Sequence, residues 1–357
     1  MSLLMNYTDQ RYVDIAQSVF QEQFKRDPKL ETELDDRRKR LMYEDVVYNI
    51  SFLMTAVHFS DAKIFEGYAK WIYELLCNLM KDLDRDRIME HMNDHYTILS
   101  EILNSDSKGL LSDDELKKAT NYLSTAKKVT TKAVTEIKLS TGFQEGEYYY
   151  IRKAYLDALI KNQTREAHKV IQDAKKQGVS ITEIYEEVLT KVMFETGRLW
   201  HENIITIDKE HYITSVTQSV MSGFYDEIFS QPRKNKGILS CAVGSELHEV
   251  GIRMLSDMFE YQGWDSYYLG AALPVESILK AVEEHQPDLI ALSVTMPLYL
   301  PTCENIVKAV REKYPDAKIA VGGQAFINTE KLWEKWDVDY YSETADAFVN
   351  WAEKEII

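Results

Sequence analysis

One histidine in this chain is well placed for metal chemistry, because it lies on a turn between a predicted strand and a predicted helix. The apolar run 238–243 ends at Gly244, and a helical pattern begins just after His248. A histidine at the carboxyl end of a parallel strand lies where open α/β sheets bind their ligands. Glu246, two residues earlier, is close enough to orient the imidazole through its second nitrogen. The pattern predicts that His248 is an axial ligand of a metal cofactor.

Two further predicted strand ends carry hydroxyl-bearing or very small residues. Ser293 and Thr295 follow the third strand of this region, and the pair Gly322-Gly323 follows the fourth. A glycine pair lets the backbone approach a bulky ligand, because no Cβ is in the way. Together with the histidine on the first loop, these residues predict a slot for a long ligand between the strand ends.

The carboxyl-terminal region, residues 237–357, alternates predicted strands and helices. Five such βα units form a doubly wound parallel sheet of the Rossmann or flavodoxin type. The strands are predicted at Ile238–Val243, Ser266–Leu269, Leu289–Val294, Ile319–Val321 and Tyr340–Tyr341. The helices are predicted at Glu249–Tyr261, Val275–His285, Cys303–Lys313, Glu330–Trp336 and Ala345–Glu355.

The preceding region, residues 147–233, predicts a four-helix bundle. Short connections between its apolar-periodic segments make the helices antiparallel neighbours. Gly178 stands where a helix cap is expected, and Thr206 is a good N-cap residue. The four helices are predicted at Tyr148–Lys161, Arg165–Lys176, Ile181–Trp200 and Thr206–Phe229.

The amino-terminal region, residues 1–140, predicts an all-helical domain of five or six helices. Its apolar residues recur at helical spacing, and glycine and proline are scarce before Gly109. Isolated histidines on amphipathic helices favour packing or surface roles over metal binding. We therefore assign no metal site to the histidines of this domain, which are His58, His91 and His95.

Composition and charge exclude several classes of protein. The 357-residue chain is 45% hydrophobic, which is typical of globular domains, and its formal net charge of -16 argues against a large nucleic-acid-binding surface. Its three cysteines are scattered, which indicates a reducing compartment. We find no signal peptide and no apolar run near the ~20 residues that a membrane span needs. We therefore expect a soluble, cytoplasmic protein without membrane contacts.

The carboxyl-terminal motifs resemble a known family. Glu246-x-His248-x-x-Gly251, then Ser293-x-Thr295, then Gly322-Gly323 resembles the cobalamin-binding Rossmann-like domain of methionine synthase, corrinoid carriers and cobalamin photoreceptors. The family pattern usually begins with Asp, where this sequence has Glu246. The resemblance covers residues 147–357 and implies that His248 replaces dimethylbenzimidazole as the lower cobalt ligand, while the displaced nucleotide tail enters the slot. The cofactor-binding residues implied are Glu246, Leu247, His248, Glu249, Val250, Gly251, Ser293, Val294, Thr295, Gly322, Gly323 and Gln324.

The bundle carries a second, more discriminating resemblance. Trp200, nine intervening residues and Glu210-His211 resemble the Trp-x9-Glu-His motif of the CarH-like adenosylcobalamin photoreceptors. The resemblance implies that the bundle caps the upper cobalt face, with Trp200 packed over the adenosyl group. Glu210 and His211 would contact that group. His201, directly after the tryptophan, is by the same resemblance the candidate upper cobalt ligand once light has expelled the adenosyl group.

These features predict a sensor that holds adenosylcobalamin and signals light or cofactor status, without catalytic residues or enzyme activity of its own. The photoreceptor repressors have an amino-terminal winged-helix DNA-binding domain, and residues 1–140 show no helix-turn-helix signature. Direct DNA binding is therefore not expected. The amino-terminal helices are predicted to be a transmitter or a docking surface for a protein signalling partner, and a homo-oligomer is expected by analogy only.

Two other functions belong to the same family. A corrinoid carrier would shuttle a methyl group between two methyltransferases as methylcobalamin, and would be a subunit of an enzyme system. Carriers share both domains but need an upper face open to their partner enzymes, so they have less use for an adenosyl-contacting set of side chains. A coenzyme-dependent mutase subunit would need a substrate barrel from another chain, and nothing in the sequence supports it.

Overall fold

The computed structural model describes residues 10–105, 109–136, 142–143 and 145–356. The chain forms two compact units. The first extends to residue 138 and also includes two short segments from the carboxyl-terminal part of the chain, 296–301 and 325–332. The second contains the rest of the chain. Within the described residues, no helix is both long enough and apolar enough to cross a membrane.

The first unit is helical, and polar caps define several helix ends. Its helices are α1 Gln10–Arg26, α2 Leu30–Glu33, α3 Asp36–Phe59, α4 Ala62–Leu79, α5 Arg85–Ser105 and α6 Asp113–Glu136. Asp35 accepts a hydrogen bond from the backbone N–H of Arg38 at 2.7 Å and so begins α3. That helix ends where Ser60 takes a left-handed φ of 53°. His95 is buried, and burial lowers its pKa to about 3.

The second unit begins with a helical bundle. Its helices are α7 Tyr149–Ile160, α8 Thr164–Lys176, α9 Ile181–Glu183, a π-helix Ile184–Thr190, α10 Lys191–His201, α11 Ile207–Ser222 and α12 Tyr225–Ile228. Ser180 and Glu183 form a capping box at the start of the third bundle helix, and these hydrogen bonds lower the pKa of Glu183 to about 2. The π-helix lies within this third helix and leads directly into α10.

A five-stranded parallel sheet completes the second unit. The elements are β1 Gly237–Ala242, α13 Val250–Tyr261, β2 Asp265–Tyr268, α14 Val275–His285, β3 Leu289–Ser293, α15 Leu300–Lys313, β4 Lys318–Gly322, β5 Tyr340–Ser342 and α16 Ala345–Glu355. The strand order β2-β1-β3-β4-β5 is that of a flavodoxin-like sheet, as the alternating pattern predicted. In this order, β2 is added on one side of β1 and β3 on the other, so the strand order reverses between β1 and β3. Ligands of such sheets bind at that switch point.

One continuous core joins the bundle and the sheet. Buried apolar residues of the bundle, such as Tyr155 and Val188, belong to the same cluster as Met254 and Phe259 of α13 and Leu289 of β3. The central strands β1, β3 and β4 are nearly continuous apolar runs because both faces of a parallel sheet are covered there, whereas the edge strands β2 and β5 are partly exposed. This shared core fixes the bundle relative to the loops at the carboxyl ends of the strands.

Two predicted helices differ from the structure. The segment 330–336 was expected to form a helix, but it contains a 3-10 turn at Leu332–Lys335, preceded by another at Gln324–Phe326. Residues 330–332 of this segment belong to the first unit and residues 333–336 to the second, so the segment does not pack as one helix. The fourth bundle helix ends at Ser222 and resumes as a short helix at Tyr225, because Gly223 and Phe224 interrupt it.

Candidate cofactor site

The predicted metal ligand lies in the loop between β1 and α13. The Nδ1 atom of His248 is 3.1 Å from Oε2 of Glu246. Glu246 is only 1% exposed, whereas the His248 side chain is 60% exposed. A buried carboxylate beside Nδ1 selects the tautomer with the proton on that nitrogen, so Nε2 is the ring nitrogen that can ligate a metal.

The same carboxylate joins two loops. Its other oxygen, Oε1, accepts a hydrogen bond from the backbone N–H of Thr295 at 2.8 Å. Glu246 thus connects the loop after β1 with the residues after β3, at the point where the strand order reverses. The hydrogen bond to Glu246 also raises the pKa of His248, against the opposing effect of burial. A metal that binds Nε2 would have to displace the proton that the charged imidazolium carries on that nitrogen, while Nδ1 keeps the proton it shares with Glu246.

The carboxyl ends of β3 and β4 pack closely against each other beside this loop. The backbone N–H of Val294 donates to the carbonyl of Gly322 at 2.9 Å. Gly323 has a φ of +99°, and a Cβ at this position would collide with the carbonyl of Val294. Only glycine is compatible with both conditions. Ser293 is half-buried at the end of β3, and Gln324 is exposed after β4.

The bundle residues lie on two consecutive helices. Trp200 and His201 end α10, and the indole of Trp200 is partly buried against the core. His211 is 64% exposed and lies 3.5 Å from the carboxylate of Glu210 on α11. The charge of Glu210 contributes to the raised pKa of His248. Glu210 of the bundle is therefore near enough to His248 of the sheet loop to act on it electrostatically.

Glu249 holds the bundle and the sheet together beside this space. Its Oε1 accepts from Nε2 of Gln218 on α11 at 3.3 Å, and its Oε2 accepts from the hydroxyl of Tyr268 on β2 at 3.1 Å. Of the other residues predicted in this loop, Leu247 is exposed, Val250 is buried and Gly251 is exposed. Any contact of Glu249 with a cofactor would come in addition to these two hydrogen bonds.

Sequence reasoning missed a second connection between the bundle and the sheet. The hydroxyl of Tyr185, in the π-helix, donates to Oδ2 of Asp257 on α13 at 2.9 Å, and both residues are buried. Nearby, Nη2 of Arg253 donates to the hydroxyl of Tyr225 at 2.9 Å. Burial raises the pKa of Asp257 to about 6. A periodic apolar pattern cannot reveal this contact, because it joins the polar ends of two side chains that are 72 residues apart in the chain.

Comparison with known families identifies both halves of the second unit. Residues 237–351 match the B12 binding domain family, and residues 151–222 match a second B12 binding domain model. Both matches lie within the region in which the sequence resembles cobalamin-binding proteins. The matched ranges include the residues predicted for the lower and the upper face.

Individual relatives fall into two groups. The HTH-type transcriptional repressor CarH of Myxococcus xanthus is 25% identical over 165 residues, which are 45% of this chain and 54% of that protein, so the chain spans about half the length of this relative. Dimethylamine corrinoid protein 3 of Methanosarcina mazei is 25% identical over 122 residues, 34% of this chain and 71% of that protein. The solved structure of the Methanosarcina barkeri monomethylamine corrinoid protein matches 59% of this chain and 100% of its own, with a TM-score of 0.52 and 17% identity, and thus shares the fold.

Proposed function

The chain carries two B12 binding domains, and on that premise we propose that it is a cobalamin sensor. In this proposal it holds adenosylcobalamin in the base-off form with His248 as the lower cobalt ligand, responds to light, and signals through protein contacts. When bound, the cofactor would supply a cobalt–carbon bond that light can break.

The lower face carries the proposal. A single buried carboxylate, Glu246, holds both the imidazole of His248 and the backbone N–H of Thr295. The exposed imidazole has one nitrogen fixed and the other able to ligate cobalt. Beside it, the φ of +99° at Gly323 brings the backbone after β4 against Val294 at the end of β3, where a Cβ would collide with the Val294 carbonyl. These features fit a corrinoid whose nucleotide tail is displaced by the histidine.

The upper face supports the adenosyl form. Trp200 supplies a large flat apolar surface that would shield the bond from solvent. Glu210 and His211 would contact the adenosyl group, and His201 would take the open coordination position after its loss. The similarity to CarH, which is named a transcriptional repressor and not a corrinoid carrier, favours these roles.

The amino-terminal helical unit would transmit the signal. Its segments 296–301 and 325–332 follow directly in the chain on Thr295 and Gln324, two of the predicted cofactor contacts. Within this unit, Oδ2 of Asp61 accepts from the backbone N–H of Glu330 at 2.6 Å. The carboxylate is 1% exposed, and its Oδ1 also caps α4 through the N–H of Lys63 at 3.0 Å. A change in the loop after β4 would thus reach α4 through this hydrogen bond, and from there a protein partner or a second copy of the chain.

An absorption spectrum tests the proposal. The purified chain would be loaded with adenosylcobalamin in the dark and then illuminated with green light, and its oligomeric state would be measured before and after. We expect a dark His-on spectrum that converts to a stable bis-histidine spectrum with a change in assembly. His201→Ala should abolish the bis-histidine spectrum, whereas His168→Ala on α8 is the matched control and should not.

A corrinoid methyl carrier is the second candidate. The similarity to the dimethylamine corrinoid proteins favours it, as does the exposure of side chains on the upper face. A carrier should bind methylcobalamin as well as adenosylcobalamin and should show no light-driven change in assembly. That combination of results would contradict the sensor and support the carrier.

A further inference from the structure

The core of the amino-terminal unit contains polar groups that the unit itself does not satisfy. Asn49 of α3, Tyr68 of α4, Tyr96 of α5 and Thr130 of α6 are buried, on helices that pack against one another. Among the residues that the structure describes, Oδ1 of Asn49, both phenol hydroxyls and Oγ1 of Thr130 have no hydrogen-bond partner. Buried polar groups are normally hydrogen-bonded, because each unsatisfied one costs stability. This cluster therefore indicates that a group outside the polypeptide completes it.

The polar groups of the cluster lie near one another. The hydroxyl of Tyr68 is close enough to Asp45 of α3 and to Tyr96 for both to act on it electrostatically, yet it forms a hydrogen bond with neither. Oγ1 of Thr130 lies near the hydroxyl of Tyr96, but the two groups lack the geometry of a hydrogen bond. Asn49 is one turn after Asp45 on the same face of α3, and its Nδ2 donates to the Asp45 carbonyl at 2.8 Å.

The carboxylate of Asp45 has no cation to neutralise it. Its side chain is half-buried, and within the described part of the chain no lysine or arginine forms an ion pair or hydrogen bond with it. Burial, together with the charge of Glu44, raises the pKa of Asp45 to about 7. A nearby cation would have the opposite effect, because it favours the charged carboxylate. The fold thus supplies a negative charge and several hydrogen-bond acceptors without the matching positive group.

The surroundings favour an organic cation over a metal ion. The ring of Tyr68 stacks on Phe52 with the centroids 4.0 Å apart, and Phe65 lies edge-on to Tyr96 at 5.8 Å. Aromatic rings attract organic cations and also pack well against aliphatic groups. The described residues hold no group of three His, Cys, Asp or Glu side chains that could bind a metal ion, whereas Ca²⁺ requires six or more oxygen ligands.

We propose that the amino-terminal unit binds a small compound with a primary ammonium group at this cluster. Asp45 would neutralise the ammonium group, and Oδ1 of Asn49 and the hydroxyl of Tyr68 would accept two of its three N–H groups. The aliphatic part of the compound would pack against Phe52 and Phe65. This site uses none of the residues assigned to cobalamin, so the inference goes beyond the proposed function and does not depend on it.

Calorimetric titration of the full chain with n-propylammonium chloride tests this site. Four non-hydrogen atoms allow a dissociation constant no lower than about 10–100 µM, so the titration should extend to about 50 mM. Tetramethylammonium keeps the charge but has no N–H donor, and 1-propanol has a donor but no charge. Each should bind at least about tenfold more weakly, because the site needs both properties. Binding of propylammonium should tighten as the pH rises through about 7, since Asp45 must lose its proton, while Tyr68 and Tyr96 have pKa values far above this range.

Asp45→Asn separates a ligand role from a structural one. It removes the charge, keeps the shape of the side chain and should weaken propylammonium binding by about tenfold or more. At about pH 8 without the ligand, its melting temperature should be no lower than that of the unaltered chain, because it removes a half-buried charge without a cationic partner. A carboxylate that only stabilises the fold would give a lower melting temperature instead. Asp36→Asn, exposed in the first turn of the same helix, is the matched control.

Tyr68→Phe provides a second, independent measurement. It removes one hydroxyl from the cluster and should weaken propylammonium binding by about three- to tenfold. Tyr122→Phe is the matched control, because that phenol is also buried but lies on α6 near Asp61 rather than Asp45.

Each outcome supports or overturns the inference. Selective weakening in the Asp45 and Tyr68 variants, with both controls unchanged, would support it. If the unaltered chain does not bind propylammonium, the inference is wrong, and buried water satisfies the cluster instead. Binding of tetramethylammonium or 1-propanol as tight as that of propylammonium would also overturn it. Undiminished binding by Asp45→Asn would place the ammonium elsewhere on the chain and would overturn it as well.

Discussion

The lower and upper faces of the proposed cobalamin site are built in different ways. On the lower face, Glu246 is almost completely buried and makes two hydrogen bonds that fix His248 and the loop after β3. On the upper face, His211 is mostly exposed and Trp200 is only partly buried. The protein thus preorganises the residue that would ligate cobalt and leaves the opposite face to be completed by the cofactor. A preorganised ligand lowers the cost of binding, whereas an open face allows one type of upper group to be selected.

Replacement of the proposed ligand tests the lower face most severely. His248→Ala should weaken cobalamin binding by more than roughly a hundredfold, because loss of a ligand exceeds the 10- to 100-fold effect of losing its hydrogen-bond partner. The His-on absorption spectrum should also disappear. Spectral titration of the variant measures both effects, with His168→Ala as the control. An unchanged spectrum would show that His248 is not the ligand.

Replacement of Glu246 tests whether the lower face is preorganised. In Glu246→Gln, one of the two carboxylate oxygens becomes an NH2 group that cannot accept a hydrogen bond from Thr295 or His248. We expect cobalamin affinity to fall by about 10- to 100-fold. Glu246→Asp keeps the carboxylate that the family pattern contains and should recover most of the affinity. Equal affinities for the Gln variant and the unaltered chain would remove the contrast between the two faces.

The contribution of Asp257, which connects α13 to the bundle, to the free energy of unfolding should depend on pH. Burial raises the pKa of Asp257 to about 6, above the 3.8 of an unperturbed aspartate, so the folded state binds a proton that the unfolded state releases. The contribution of this group to stability is therefore complete below about pH 4 and is lost as the pH rises through 6, by on the order of 2–3 kcal/mol. Groups that face the carboxylate are Tyr185, Tyr225, Arg253 and Glu260.

Urea denaturation at several pH values measures this effect. Asp257→Asn should remove the pH dependence between 4 and 6, because an amide does not titrate and can still accept from Tyr185. Tyr185→Phe should destabilise the chain by about 1–3 kcal/mol at pH 7, since it leaves a buried carboxylate without that donor. If the difference in stability between the unaltered chain and the Asn variant does not change with pH, Asp257 is not protonated in this range.

The sequence predicted the lower face better than the contacts that support it. The predicted bounds of all five strands lie within two residues of the observed ones. For the central strands β1, β3 and β4 the reason is that strands covered on both faces have a clear hydrophobic signature. His248 and Glu246 were identifiable from their position after such a run. The contact between Glu246 and Thr295 was not, since it joins a side chain to a backbone N–H 49 residues away. Only the strand order brings these two residues together.

The upper face and the amino-terminal unit were less predictable for different reasons. Helical periodicity from Ile181 to Trp200 showed neither the π-helix nor the contact of Tyr185 with Asp257, because that contact joins side chains 72 residues apart. Gly197, three residues before Trp200, could have been noticed in the sequence, because a glycine within a helix lowers helix stability relative to alanine. In the amino-terminal unit, the inclusion of segments 296–301 and 325–332 depends on long-range contacts that no local pattern encodes.

The smallest effect is expected at the most exposed residue of the upper face. The ring of His211 lies 3.5 Å from the carboxylate of Glu210, mostly in solvent, and exposed pairs of this kind contribute about 0–1 kcal/mol at most. His211→Ala should therefore change the free energy of unfolding of the cofactor-free chain by less than about 0.5 kcal/mol, while weakening the preference for adenosylcobalamin over methylcobalamin. Urea denaturation without the cofactor and paired binding titrations measure the two effects. A loss of stability comparable to that of Tyr185→Phe would mean that the upper face is already assembled in the free protein. The two faces would then differ in exposure but not in preorganisation.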